Sequence, residues 1–325
     1  MDVKDIREAA LRSLNDAVET HNYLLRKHID RDEVGVNTFG DTVMKIDYEC
    51  EEAVLDAFRT MATQYHTGFS VVSEEHGSFV IGDSPAYTLF VDGFDGSSKY
   101  KQTGGASRGG TMMAIYLGVN PRFDDYLVGG IADFQLGQII VGAKGEGVTL
   151  YTSGSKQRVQ ASGAKALSDK TRIYIDEGVG IYDPCFFWPV KSSDEMTLDD
   201  KTRIYIDEGI QNYKTFPYHK KGYFYDPIKA QFETQDLGSS AVYFFDLATG
   251  RADLDLEYGR KECLEHWTGY PLISESGGIM EYVSGGSVGP TRYRDYLLLN
   301  DGYPAVIIAA TKELGTAVRA FSMRH

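Results

Sequence analysis

One short segment that passes from apolar residues to two acids constrains this chain more than any other. Residues 88–98 read Thr-Leu-Phe-Val-Asp-Gly-Phe-Asp-Gly-Ser-Ser. The apolar, β-branched and aromatic start predicts a buried strand over residues 88–91. Asp92 and Asp95 follow three residues apart across a Gly-containing turn, so both carboxylates and the Phe94 carbonyl can face one point. Hard oxygen ligands of this kind suit Mg²⁺, and the segment predicts a metal-binding loop at a strand end.

The small residues after Asp95 predict an anion-binding helix start. Gly96, Ser97 and Ser98 can open a helix whose first N–H groups face a phosphate. The alternative for the whole segment is an Asp-Gly turn in which the carboxylates cap nearby N–H groups. Residues 71–75, Val-Val-Ser-Glu-Glu, are a second apolar run that ends in acids. Two strands that bring carboxylates to one sheet edge favour the metal site.

The two acidic segments together resemble the signature of the inositol monophosphatase and fructose-1,6-bisphosphatase superfamily, a group of metal-dependent sugar phosphatases. The usual pattern is Glu-Glu, then Asp-Pro-(Ile/Leu)-Asp-Gly-(Thr/Ser). Glu74-Glu75 and residues 92–98 follow that pattern except at Gly93, where proline is usual. Loss of the proline loosens the loop entropically but removes no ligand.

This resemblance implies a fold of the α/β class, namely a layered αβαβα sugar-phosphatase sandwich with an α+β half and an α/β half. We expect residues 1–150 to form the metal-binding α+β domain and residues 151–325 to form an α/β domain that covers the substrate. The boundary is expected near residues 149–162, where Ser, Gly and Lys dominate. Periodicity alone supports only a mixed α/β protein.

The acidic ligand expected in the second half departs from the family pattern. Relatives carry a Trp-Asp segment upstream of a Glu-Ala-Gly-Gly turn, and here that turn is Glu-Ser-Gly-Gly at residues 275–278. Counting back over the family spacing places Glu265 at the aspartate position. Its longer side chain offers the same carboxylate, although Mg²⁺ tolerates little error in ligand distance. Glu262 is the rival ligand, and the non-functional alternative makes Glu265 a surface residue of an amphipathic helix.

Asp47 has two interpretations. The stretch from Gly40 to Asp47 is similar to a family segment whose final aspartate faces the metals. That similarity implies that Asp47 serves a third metal or orients the attacking water. The alternative is that Asp47 only caps the helix that follows.

Residues later in the chain supply the expected substrate contacts. Gly238, Ser239 and Ser240 resemble the start of a family helix that faces the substrate, and the alternative is that they cap a core helix. Glu257 and Arg260 lie where, by the same resemblance, a glutamate binds a ring hydroxyl and basic residues distinguish a second phosphate.

The resemblance implies hydrolysis of a phosphate monoester, inositol 1-phosphate or fructose 1,6-bisphosphate, by a metal-activated water. Two or three Mg²⁺ ions are implied, with Mn²⁺ as an alternative, and the implied ligands are Glu74, Asp92, Phe94, Asp95 and Glu265. The implied catalytic residues are Asp47, Glu74 and Ser97. The implied substrate contacts are Gly96, Ser97, Ser98, Gly238, Ser239, Ser240, Glu257 and Arg260. Two alternatives stay open: a 3′-phosphonucleotide phosphatase, and a catalytically silent sugar-phosphate-binding relative.

Composition argues against several other classes. A formal net charge of −14 argues against a nucleic-acid surface. Three scattered cysteines, Cys50, Cys185 and Cys263, argue against a disulfide framework and a cysteine-based zinc site. No apolar run approaches the roughly 20 residues of a membrane helix, so we expect a cytoplasmic protein that binds no membrane. The family resemblance implies a homodimer.

One segment is present twice. Residues 167–178 recur at residues 198–209 with near identity, at an offset of 31 residues. Each copy contains Thr-Arg-Ile-Tyr-Ile and predicts a strand. Two copies are too few for a solenoid of stacked units, so the pattern indicates a local duplication. Whether both strands join one sheet is not predicted.

Overall fold

Two mixed sheets, a two-stranded antiparallel sheet of β1 and β2, and the surrounding helices make up the described part of the chain. The computed structural model describes residues 1–166, 173–175, 203–206, 233–234, 237–258, 263–282, 284–299 and 305–322. Its helices are α1 (Val3–Lys27), α2 (Lys45–Tyr65), α3 (Ser97–Gln102), α4 (Ser240–Ala248), α5 (Leu264–Ser276), α6 (Tyr293–Tyr296) and α7 (Lys312–Ser322), with a 3-10 turn at Phe123–Asp125.

The strands follow the chain through both halves. They are β1 (Glu33–Val36), β2 (Thr42–Met44), β3 (Gly68–Ser73), β4 (Gly77–Ile81), β5 (Pro85–Asp95), β6 (Gly110–Leu117), β7 (Tyr126–Asp133), β8 (Gln138–Ala143), β9 (Gly147–Thr152), β10 (Ser155–Val159), β11 (Ile173–Ile175), β12 (Arg203–Ile206), β13 (Glu233–Thr234), β14 (Leu254–Tyr258), β15 (Ile279–Tyr282) and β16 (Ala305–Ala309).

Helices α1 and α2 form the first layer. Helix α1 begins with a reciprocal capping box, because Asp2 accepts a hydrogen bond from the Asp5 N–H at 2.8 Å and donates its own N–H to the Asp5 carboxylate. Apolar residues recur at helical spacing along one face and are buried. This face packs against α2 and against strands β7 and β8.

The first sheet has eight strands in the order β10-β9-β8-β7-β6-β5-β3-β4. Strands β3 and β5 are parallel, and the other neighbours are antiparallel. The sheet continues to Val159, beyond residue 150, where the first domain was expected to end, but inside the expected boundary stretch 149–162. The division into two domains itself stays a prediction.

The second sheet has the order β13-β12-β11-β14-β16-β15, with β16 antiparallel to both of its neighbours. Helices α4 and α5 contact the first sheet on one side and strands β14 and β15 of the second sheet on the other, while α7 packs on β15 and β16. The layers are therefore helix, sheet, helix, sheet and helix. The predicted αβαβα sandwich is confirmed.

The two duplicated strands are neighbours in the second sheet. Strands β11 and β12 are parallel, with Tyr174 opposite Tyr205 and Ile175 opposite Ile206. The register therefore equals the 31-residue offset of the duplication. The remainder of both copies lies outside the described residues.

Trp267 on α5 is the centre of the core between the two sheets. Its ring stacks on Phe123, with ring centroids 3.6 Å apart, and on Phe90 of β5 at 5.1 Å. Three tyrosines meet the indole edge-on, namely Tyr116, Tyr293 and Tyr296. These contacts attach α5 to strands β5 and β6 of the first sheet.

Two cysteines lie in the described residues, and both are buried free thiols, Cys50 and Cys263; Cys185 lies outside that part of the chain. Within the same residues, none of the helices combines the length and apolarity that crossing a membrane requires.

Candidate active site

The carboxyl ends of β3 and β5 place two acids side by side. The strands are parallel, Ser73 lies opposite Val91, and the Glu74 N–H donates to the Val91 carbonyl at 3.3 Å. Glu74 and Asp92 therefore follow directly after paired positions at one edge of the sheet. Both side chains are nearly buried, at 8% and 2% exposure. The expectation that two strands bring carboxylates to one edge is confirmed.

The segment from Asp92 to Asp95 is a bulged strand and not the turn expected from its glycine. Strand β5 continues to Asp95, with Asp92 opposite Met112 and Asp95 opposite Gly110. Between these two pairs β5 therefore contains one residue more than β6. A bulge bends a strand and redirects its side chains, and bulges are frequent beside functional sites. The extra residue changes the direction of the side chains between Asp92 and Asp95 while the pairing of β5 with β6 continues.

A hydrogen bond within this bulge orients Asp92. Its Oδ1 accepts the Phe94 N–H at 2.9 Å. The Phe94 ring is buried and stacks on Phe134, with ring centroids 5.5 Å apart. The main chain of the bulge is therefore anchored by a core side chain. The role of the Phe94 carbonyl as a ligand stays a prediction.

Gly93 packs against the start of α2. A Cβ atom at this position would lie 2.0 Å from the Asp47 carbonyl oxygen and 2.8 Å from the Glu51 Cβ. No side chain fits at that distance, and the proline usual in the family would collide with α2. The interpretation that this substitution only loosens the loop missed the packing requirement.

Asp95 points its carboxylate at the start of α4. Its Oδ2 accepts the Ala241 N–H at 2.6 Å and the Ser239 hydroxyl at 2.7 Å. A carboxylate at a helix N-terminus is stabilised by the helix dipole. Ser239 also caps α4, because its Oγ accepts the Val242 N–H at 3.3 Å. The role of Asp95 as a metal ligand stays a prediction, and the capping interpretation of Ser239 is confirmed.

The helix start predicted after Asp95 is present, and its binding of an anion stays a prediction. Helix α3 begins at Ser97, and its N-cap Gly96 has a φ of 100°, which favours glycine. A Cβ on Gly96 would lie 3.0 Å from the Ser239 Cβ and 3.3 Å from the Gly238 carbonyl oxygen. The helix start and residues 238–240 therefore lie against each other. Substrate contacts from Gly96, Ser97, Ser98 and Gly238 stay predictions.

Asp47 stabilises the start of its own helix. Its Oδ2 accepts the Met44 N–H at 2.7 Å, and the residue is buried in the first turn of α2. The N-cap itself is Met44, and Asp47 is the third residue of α2, so Asp47 stabilises the helix start as the alternative expected, but from inside the helix and not from the N-cap position. Service to a third metal or to the attacking water stays a prediction.

Glu265 and Glu257 are both buried in the second half. Glu265 lies in the first turn of α5 and is 7% exposed, so its interpretation as a surface residue is wrong. Glu257 on β14 accepts a hydrogen bond from the Ser240 hydroxyl, and its Oε2 lies 3.6 Å from His266 Nε2. Arg260 and Glu262 lie outside the described residues.

The donor set suits Mg²⁺ held jointly with water and phosphate. Glu74, Asp92 and Glu265 offer buried carboxylate oxygens, which are hard ligands. Among the described residues, no group of three or more His, Cys, Asp or Glu side chains is placed to hold an ion by itself. Mg²⁺ usually keeps several waters and binds one or two carboxylates together with substrate phosphate. The carboxylates are therefore chemically suited to Mg²⁺, and their joint binding of an ion stays a prediction.

Sequence reasoning missed Glu51 and His76. The Glu51 carboxylate is fully buried, and this burial raises its pKa. It accepts a hydrogen bond from Ser73 Oγ and lies 2.6 Å from His76 Nδ1, a contact that raises the pKa of His76. The available signal was spacing, because Glu51 follows Asp47 by four residues and therefore shares its helix face.

Arg108 is a third residue that the sequence did not indicate. Its guanidinium contacts Asp133 Oδ2 at 2.7 Å and Asp246 Oδ2 at 2.9 Å. Both carboxylates are buried. Since Asp133 ends β7 and Asp246 lies on α4, this ion pair joins the first sheet to the middle helix layer.

Comparison with known proteins gives one family and one fold. A family model described as the inositol monophosphatase family matches residues 2–320. No curated protein matches the chain. A hypothetical protein from Pyrococcus horikoshii, described as similar to inositol-1 monophosphatase, has 18% identity and a TM-score of 0.61, with 98% of each chain covered.

Two further structures share this fold. The inositol monophosphatase from Anabaena (Nostoc) sp. PCC 7120 has 16% identity and a TM-score of 0.59, with 99% of this chain and 96% of that chain covered. A protein named inositol monophosphatase–fructose 1,6-bisphosphatase has 13% identity and a TM-score of 0.63, with 97% and 98% covered. At these identities the structures show the fold alone.

Proposed function

The chain belongs to the inositol monophosphatase family, and on this premise we propose that it is a Mg²⁺-dependent phosphomonoesterase acting on a small polyol or sugar phosphate. The observation that carries the proposal is the parallel register of β3 and β5, which brings Glu74 and Asp92 to one sheet edge. Helix α3 begins at Ser97, three residues after Phe94, whose N–H is bonded to Asp92. Acids for a metal and N–H groups for a phosphate thus belong to one segment.

The metal would be held by Glu74, Asp92, the Phe94 carbonyl and Glu265, with Asp95 as a further ligand. When bound, Mg²⁺ lowers the pKa of a coordinated water and stabilises the leaving alkoxide. The Asp92–Phe94 hydrogen bond keeps one carboxylate oriented before substrate arrives. Two or three ions, or Mn²⁺ in place of Mg²⁺, are compatible with oxygen donors of this kind.

The other residues bind the ester and direct water. The N–H groups of Gly96 and Ser97 at the start of α3 bind phosphoryl oxygens. Ser97 with Asp47 orients the attacking water and takes its proton. Ser240 and Glu257, joined by a hydrogen bond, offer a hydroxyl and a carboxylate to substrate hydroxyl groups. Water attacks phosphorus directly, and no covalent enzyme intermediate forms.

Inositol 1-phosphate and fructose 1,6-bisphosphate are the first substrates to test. One structure with this fold is named for both activities, and another is named as bound to inositol monophosphate. Phosphate release from both esters and from adenosine 3′,5′-bisphosphate should be measured with Mg²⁺ and with EDTA. We expect Mg²⁺-dependent release from a polyol or sugar ester. Release that persists in EDTA, or no release from any ester, would contradict the proposal.

A further inference from the structure

The Glu51 carboxylate forms several hydrogen bonds with the turn that carries Glu74. Its Oε1 accepts a hydrogen bond from Ser73 Oγ and lies 2.6 Å from His76 Nδ1, and its Oε2 accepts the Glu75 N–H at 3.4 Å. The His76 N–H in turn donates to Ser73 Oγ at 2.8 Å. One buried carboxylate therefore binds residues on both sides of Glu74.

The same residue also packs against the β5 bulge. A Cβ on Gly93 would lie 2.8 Å from the Glu51 Cβ and 2.9 Å from the Glu51 main-chain nitrogen. Gly93 is the neighbour of Asp92 in the chain. Glu51 thus contacts the segments that carry both acids. Its carboxylate contacts the turn around Glu74, and its Cβ and main chain pack against the glycine that follows Asp92.

From these contacts we infer that Glu51 is a positioning residue that sets the placement of Glu74 relative to Asp92. Mg²⁺ demands near-ideal ligand geometry, so a small shift of the 73–76 turn would weaken ion binding. Residues that orient metal ligands without touching the ion typically change metal affinity by about 10–100-fold when replaced. This inference rests on the proposed function, because it assumes that Glu74 and Asp92 bind the ion.

The substitution Glu51→Gln tests the inference with little change in side-chain volume. The amide oxygen can still accept from Ser73, but the NH₂ group cannot accept the Glu75 N–H, so the turn must shift. Glu52→Gln is the matched control. Glu52 is the next residue of α2 and also contacts His76, at 2.9 Å from Nε2, but its side chain is partly exposed and also pairs with Arg59 on its own helix.

The first readout is Mg²⁺ binding by calorimetry on the full chain without substrate. We expect Glu51→Gln to weaken binding about 10–100-fold and to raise the Mg²⁺ concentration for half-maximal phosphate release by the same factor. The maximal rate at saturating Mg²⁺ should fall much less. Glu52→Gln should match the unmodified chain in all three measurements.

A second variant covers the case in which Glu51→Gln does not fold. Ser73→Ala removes one donor to Glu51 and leaves the buried carboxylate in place, and it should weaken Mg²⁺ binding in the same direction. If either folded variant binds Mg²⁺ as tightly as the unmodified chain and only its melting temperature falls, Glu51 is purely structural and the inference is wrong. If the unmodified chain neither binds Mg²⁺ nor releases phosphate, the proposed function fails first.

Discussion

A Cβ atom on Gly93 would lie 2.0 Å from the Asp47 carbonyl oxygen, so the bulge of β5 and the first turn of α2 are in backbone contact. This contact explains the departure from the family motif, in which proline usually stands at this position. The glycine is the condition for packing α2 closely against the strand that carries Asp92.

The first prediction concerns this contact. Gly93→Ala should destabilise the chain by about 1–3 kcal/mol, the usual cost of overpacking, and Gly93→Pro should cost more although it restores the family residue. Gly35→Ala is the control, because a Cβ at Gly35 meets nothing within 4 Å. Urea unfolding of the three variants measures the effect. Equal stabilities of Gly93→Pro and the unmodified chain would show that α2 is not held against the bulge.

The second prediction concerns Asp92. Asp92→Asn should abolish Mg²⁺-dependent phosphate release and leave the metal-free melting curve nearly unchanged. The amide oxygen can still accept the Phe94 N–H, whereas the negative charge required by the ion is lost. Asp83→Asn, at an exposed position, serves as the control and should retain activity. Turnover by Asp92→Asn would refute the assignment of the site.

The third prediction concerns Arg108. Arg108→Met should destabilise the chain by about 3–5 kcal/mol, because it leaves the buried Asp133 and Asp246 without their shared cation. The exposed pair of Lys101 and Glu33 is the comparison, and Lys101→Met should change stability by about 1 kcal/mol or less. Thermal melts at low and high salt measure both. Similar losses for the two variants would mean that burial does not strengthen the Arg108 contacts.

The fourth prediction concerns pH. His21 is buried against Phe134, with ring centroids 4.4 Å apart, and burial lowers its pKa from the usual 6.5. His21 therefore binds a proton more readily in the unfolded chain than in the folded one. As the pH falls below 6.5 towards the pKa of His21 in the folded chain, this difference lowers the free energy of unfolding.

His21→Phe keeps a stacked ring and removes the titrating group. Between about pH 7.5 and about pH 5.5, the melting temperature of the unmodified chain should fall further than that of the variant. Parallel pH profiles would show that His21 does not titrate differently in the folded and unfolded chains.

The fifth prediction concerns the duplicated strand. Deleting residues 172–202 joins Thr171 to Arg203 and restores a single Thr-Arg-Ile-Tyr-Ile segment. Because β11 pairs with β14 and β12 pairs with β13, the remaining strand can pair with both, and the shortened chain should fold and keep phosphate release. Deleting residues 172–206 removes both strands and should unfold the second sheet. A cooperative melt in the second variant alone would contradict this view of the duplication.

Sequence reasoning placed Glu74 and Asp92 at one sheet edge because both acids follow recognisable strands. The apolar runs before Glu74 and Asp92 predicted both strands, and their parallel pairing supplied the shared edge. The start of α3 at Ser97 also followed from local residue types. These features depend on neighbours in the chain, which a single sequence displays directly.

What the sequence did not predict depends on contacts between distant residues. The bulge between Asp92 and Asp95 is defined by its pairing with β6. Arg108 contacts Asp133 and Asp246, which lie 25 and 138 positions further along the chain. The hydrogen bonds of Asp95 to α4 likewise cross between sheet and helix layers. Local patterns carry no information on which segments meet, so these features required the folded chain.

The stack of Trp267 between Phe90 and Phe123 also makes this chain its own optical reporter. The sequence contains only one other tryptophan, Trp188, so the tryptophan fluorescence of a Trp188→Phe variant would come only from the indole that joins α5 to β5. Changes in its emission would then report on the packing of the core between the two sheets, without an attached dye.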